Sequence, residues 1–90
     1  MIYEYMTFPD ETEVVHTQII EKNGQTTVQV HFERPTENGF DSARCELPSY
    51  KWISREGNYS DDEIKFFTEF LEHNAHLIFK YAATGGLKLA

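Results

Sequence analysis

The stretch Val14-Val15-His16-Thr17-Gln18-Ile19-Ile20-Glu21-Lys22-Asn23-Gly24-Gln25-Thr26-Thr27-Val28-Gln29-Val30-His31-Phe32 decides the fold. Two runs rich in β-branched residues flank the dipeptide Asn23-Gly24. A type I′ turn needs positive φ at both central positions, which Asn and Gly tolerate, so this dipeptide predicts a two-residue hairpin loop. Extended as a regular ladder, the turn puts Lys22 opposite Gln25, Ile19 opposite Val28, Thr17 opposite Val30 and Val15 opposite Phe32. The last three pairs form an expected apolar face. The alternate pairs, Ile20 with Thr27, Gln18 with Gln29 and His16 with His31, form a mostly polar one. Such alternation belongs to an antiparallel sheet with one side buried.

Working outward, residues 2–8 read as a strand closed by Pro9-Asp10, and residues 35–39 as a loop. Residues 40–47 read as the next strand, with Ala43, Cys45 and Leu47 on one face and Ser42, Arg44 and Glu46 on the other. Pro48 ends it, residues 50–53 read as a further short strand, and residues 54–59 as a polar connection. Ser60-Asp61-Asp62-Glu63 is a capping-box sequence, with acids suited to the positive end of a helix dipole. The helix is expected to reach residue 83, with Gly85 or Gly86 as the left-handed cap and residues 87–90 as a tail folded back through Leu87.

At about 100° per residue, Ile64, Phe67, Leu71, Ile78 and Ala82 share one stripe of that helix. Phe70, Leu77 and Tyr81 widen it on one side, Ala75 on the other, and Phe66 sits at its margin. Covering the sheet takes much of this arc, which leaves Phe66, Phe70 and Leu77 as a candidate contact surface. The expected fold is α+β: an antiparallel meander of about three to five strands, one long C-terminal helix across its inner face, and a single domain over residues 1–90.

Composition narrows the function classes. The chain has 90 residues with seven Phe, five Tyr and one Trp, enough large side chains for one modest core. A single cysteine, Cys45, allows no internal disulfide, and the N-terminus lacks the basic start and apolar run of a signal peptide, so a cytoplasmic location is expected. Eight basic and fifteen acidic residues give a net charge of −7, and the cations are scattered. Direct nucleic-acid binding needs a concentrated positive footprint and is not expected, nor is association with an anionic membrane.

Several groups could carry chemistry. His16 and His31, if directly opposed, stand close enough to share a metal, but zinc needs further ligands, so two solvated histidines are the plainer reading. His73 and His76 fall on the polar side of the helix with Glu69, Glu72 and Lys80. Cys45 alternates with Ala43 and Leu47 and reads as a buried structural thiol. Asn74 interrupts the apolar stripe, so its amide must find a partner in the chain, another chain or a ligand. Tyr50-Lys51-Trp52-Ile53, with Arg55 and Tyr59, reads as core cover or as a small recognition surface. No phosphate-binding glycine loop, CxxC, HExxH or nucleophile elbow is present, and neither a catalytic set nor a cofactor is expected.

In length and composition the chain resembles short bacterial proteins, a likeness that carries no activity and no site residue with it. The expected role is a non-enzymatic module that binds another protein or copies of itself. Asn74, Phe66, Phe70, Leu77, Trp52 and Tyr50 are its candidate contact residues. The alternatives are an acidic mimic that occupies a basic nucleic-acid site on a target protein, and a small metal protein or enzyme using His16 and His31.

Overall fold

A computed structural model describes residues 1–86 together with 88 and 89; the expectation for Leu87 lies outside the described residues. The strands are β1 (Ile2–Thr7), β2 (Glu13–Thr17), β3 (Ile20–Lys22), β4 (Gln25–Thr36), β5 (Gly39–Leu47), β6 (Lys51–Glu56) and β7 (Lys88–Leu89), and the helix is α1 (Asp61–Thr84). Their order across the sheet is β6-β5-β4-β2-β1-β7, with β3 also paired to β4. Strands β1 to β6 are therefore the expected antiparallel meander, with β2 and β3 as two pieces of one strand, and β7 adds an edge beside β1.

The Asn23-Gly24 turn forms as expected. Ile20 pairs with Thr27, Glu21 with Thr26 and Lys22 with Gln25, and φ is positive at both turn residues. Beyond Ile20 the regular ladder fails. In β2, Val14 faces Phe32, Val15 faces His31 and His16 faces Val30, one residue out of step with the turn. Gln18 and Ile19 interrupt the strand, and the Gln29 amide donates to the Thr17 hydroxyl at 3.1 Å. That side chain satisfies a ladder donor where the backbone departs. A one-residue shift turns every side chain of β2 to the other face. Val14 and His16 thus lie inside at 0% exposure, while Val15 shares the other face with His31.

The inner face is otherwise as read from the sequence. Val28, Val30, Phe32, Ala43, Cys45 and Leu47 are all buried beneath Phe67, Leu71, Ile78 and Ala82 of α1. Removing one of the Val, Leu, Ile or Phe side chains from water contributes about 1.5–3 kcal/mol. The helix opens with the expected capping box, since Ser60 accepts from the Glu63 amide and Glu63 from the Ser60 amide. Gly85 closes it in the left-handed conformation.

Two connections differ from expectation. Strand β4 runs on through Pro35 and Thr36, so the loop shrinks to Glu37-Asn38 and Arg34 comes opposite Asp41. Pro35 lies beyond Glu33, the last β4 residue paired with β2, where the missing N–H is tolerated. Strand β6 likewise extends to Glu56 with a bulge. After it the chain folds tightly against β5: Gly57 has φ 89° and an added Cβ would lie 2.9 Å from the Asp41 Cα. Gly57→Ala is expected to lower stability by about 2–3 kcal/mol, from the left-handed backbone plus that clash. Urea unfolding with an unchanged slope would show it.

Candidate functional site

The turn between β1 and β2 projects an aromatic side chain toward the start of the helix. The Phe8 amide donates to the Thr12 carbonyl at 2.8 Å, and the Glu11 amide to the Phe8 carbonyl at 2.9 Å. The Asp10 carboxylate accepts from the Thr12 amide at 3.0 Å. This tight turn fixes Phe8, whose ring meets Phe67 at 6.1 Å and Phe70 at 5.1 Å between centroids. Phe67 is itself stacked on Phe32 at 4.3 Å and 10°.

Arg34 locks this corner from behind. Its Nε and Nη2 donate to Asp41 Oδ2 at 3.0 and 2.8 Å. Nη1 donates to the Glu63 carboxylate and lies 3.5 Å from Asp10 Oδ2. The guanidinium also sits 4.6 Å over the centre of the Tyr59 ring. One cation thereby joins β4, β5, the β1–β2 turn and the first turn of α1. The Asn58 amide and then Arg34 hold the Asp41 carboxyl below its usual range. The Ser60 amide, ahead of Arg34, does the same for Glu63. Burial pushes Asp10 upward, but the Thr12 bonds and Arg34 outweigh it and lower its pKa.

An open groove of about 390 Å³ lies between the turn and the helix. Phe8, Pro9, Phe66 and Phe67 give it apolar walls, and Asp10, Asp62 and Glu63 line it as well. Phe66 stands edge-on to Phe8 at 5.6 Å and is 54% exposed. Arg34, Asp41, Phe8 and the Pro9-Asp10 turn were not singled out from the sequence. The signal lay in Thr36-Glu37-Asn38-Gly39, where a turn on Glu37-Asn38 pairs Arg34 with Asp41.

The residues singled out from the sequence disperse. His16 and His31 are on opposite faces, because β2 is shifted by one residue, and cannot share a metal. Among the described residues, no group of three or more His, Cys, Asp or Glu is placed to hold a metal ion. His16 Nδ1 lies 2.8 Å from the Thr17 carbonyl, and its ring packs between Tyr3 and Tyr5. Cys45 is fully buried, and burial followed by the Glu46 charge raises its thiol to about 12, which makes it inert.

Asn74 is satisfied within the fold. Its Oδ1 accepts from the Tyr5 hydroxyl at 2.7 Å, and its Nδ2 donates to the Phe70 carbonyl at 2.9 Å. Trp52 packs on Phe32 and donates to Thr68 at 3.2 Å, while Tyr50 is half-buried against the core. Arg55 is bonded to Asp61 and the Tyr59 carbonyl, so the Tyr50–Tyr59 cluster does not form one surface. Phe70 is covered by Phe8, Phe32 and Tyr5, and Leu77 is half-buried. Of the Phe66–Phe70–Leu77 flank, Phe66 carries the exposed apolar surface. His73 and His76 stand exposed on the outer side of the helix.

The two other histidines give the protein a pH dependence. Burial lowers the His16 pKa, and burial followed by the Arg44 charge lowers His31 to about 4. The fold therefore favours neutral imidazoles, whereas the unfolded chain takes up protons near 6.5. Their stabilising effect is complete above that value and is lost as pH falls below it, for His31 down through about 4. The melting temperature is expected to drop by several degrees from pH 7.5 to 5, and His31→Gln to drop less over the same interval.

Comparison with known protein families, curated proteins and solved structures yields no match to this chain. No helix among the described residues is long and apolar enough to cross a membrane.

Proposed function

We propose that this chain is a non-enzymatic module that binds another protein, and that it docks its partner in the groove between the β1–β2 turn and α1. The observation that carries this reading is the half-exposed Phe66 ring beside a preformed apolar recess. Ile64, Phe67, Phe70, Leu71, Ala75, Ile78 and Ala82 of the helix's apolar arc are spent on the core, yet Phe66 is left facing water. An aromatic side chain in such a position is the usual anchor of a protein interface. The recess exists without a partner because Arg34 and the Phe8–Phe67–Phe32 stack hold its walls.

A photo-crosslinking phenylalanine analogue placed at position 66 tests the reading in cells that make the protein natively. The control position is Asn38, an exposed residue in the β4–β5 loop. A discrete light-dependent adduct to another protein at position 66 and not at 38 is the expected result. No adduct at 66, or the same adducts at both positions, would refute protein binding through this groove.

A further inference from the structure

We infer that the groove accepts a basic segment of its partner, with one bulky apolar side chain inserted and a lysine or arginine beside it. This inference rests on the protein-binding reading above and adds the partner's chemistry.

Among the described residues, the charged groups that line the recess are Asp10, Asp62 and Glu63, all acidic. Arg34 lies behind the wall, and its guanidinium is committed to Asp41, Glu63 and Asp10. It does not neutralise the rim, because its one charge is shared among Asp41, Glu63 and Asp10, and Asp62 lies outside those ion pairs. The positive end of the helix dipole is met locally by the Ser60–Glu63 capping box. Asp62 is exposed, and its carboxylate has no hydrogen-bond or ion-pair partner among the described residues. It stands one turn before Phe66, on the same side of the helix, where a cation next to an inserted side chain would meet it.

Size and charge select among occupants. About 390 Å³ is small for a ligand pocket, which runs to roughly 300–1,000 Å³, and suits one or two large side chains. A second copy of this chain carries the same net charge of −7 and would bring acid against an acidic rim. Among the described residues, its most exposed large apolar side chain apart from Met1 is Phe40, which neighbours Asp41 and follows the acidic Glu37 loop. A cationic segment is instead steered in by the field of the whole chain, and steering weakens with salt.

Random short peptides displayed on phage, panned on the immobilised full chain and counter-selected on a Phe66→Glu variant, provide the test. Circular dichroism first shows that Phe66→Glu and Asp62→Lys melt cooperatively like the parent. The selected peptides are then synthesised and titrated by fluorescence anisotropy at low and high salt. The expected peptides share one aromatic or long aliphatic residue with Lys or Arg within two positions. Their affinity is expected to fall on the order of tenfold or more in Phe66→Glu. It is expected to fall about threefold in Asp62→Lys and to weaken with salt. Peptides that lack basic residues, or that bind Asp62→Lys as tightly as the parent, would overturn the charge requirement while leaving protein binding in place. Failure to enrich any peptide would overturn insertion of a short segment, and the crosslink at position 66 would then decide separately whether a folded partner docks there.

Discussion

Replacing Arg34 with methionine is expected to lower stability by about 3 kcal/mol, because removing one partner of a mostly buried ion pair strands the other. The stranded group is the Asp41 carboxylate, 4% exposed, which among the described residues keeps the Asn58 amide as its partner at 2.8 Å. Methionine retains much of the aliphatic packing, so the loss reports the guanidinium and its contact with the Tyr59 ring. Arg34 remains partly solvated, which places the expected cost at the lower end of the range for buried pairs. Arg34→Lys is expected to recover little, since an ammonium cannot serve Asp41 and Glu63 with the same planar fork.

Acid separates this electrostatic cost from lost packing. Asp41, Glu63 and Asp10 all have lowered pKa values in the fold, so the stability they contribute is present above the unfolded carboxylate range near 4. It is lost as pH falls through their folded values. Urea unfolding of the parent and Arg34→Met is therefore expected to differ more at pH 7 than at pH 3. An equal difference at both pH values would mean that Arg34 acts through its hydrocarbon stem alone. This window lies below that of His16 and His31, whose contribution is lost as pH falls below about 6.5, for His31 down through about 4.

The same corner shows what the sequence discloses and what it conceals. The β-turn chemistry of Asn23-Gly24 acts over a few residues, and there the pairing is as read: Lys22 with Gln25, Ile20 with Thr27. The helix, too, is legible from its cap to Gly85, because its signals are local and repeat every turn. The phase of β2 is not, since Val14-Val15 offers a valine to either face. Both valines end up buried, Val14 against Phe32 and Val15 on the opposite face, so neither decides the phase by itself. The neighbours that settle it are Tyr3 and Tyr5 of β1, which pack their rings on His16 and draw it inside. That contact lies between strands and leaves no trace in the period of either. Asn74 was conspicuous in sequence but is explained by Tyr5, 69 positions away. The groove escaped for the same reason, since Phe8 and Phe66 become neighbours only when the sheet and helix are docked.

Adjacent phenylalanines on the helix are expected to respond in opposite ways, which separates folding from binding. Phe67 is 3% exposed, stacked on Phe32, in contact with Phe8 and met edge-on by Tyr59 at 5.1 Å. Phe67→Ala is expected to cost about 3–5 kcal/mol, the range for emptying a buried aromatic site. That is a large share of the stability of a chain this size, so the variant is expected to unfold in mild urea or not to fold at 37 °C. Phe66 loses only its edge contacts with Phe8 and Phe67, and alanine is the better helix former by several tenths of a kcal/mol. Phe66→Ala is thus expected to change stability by less than about 1 kcal/mol, while weakening any partner that inserts into the groove on the order of tenfold. Urea unfolding of both variants, read beside the anisotropy titration, checks the pair. Equal loss of stability in the two would mean that Phe66 belongs to the core, and the recess beside it would then be no docking site.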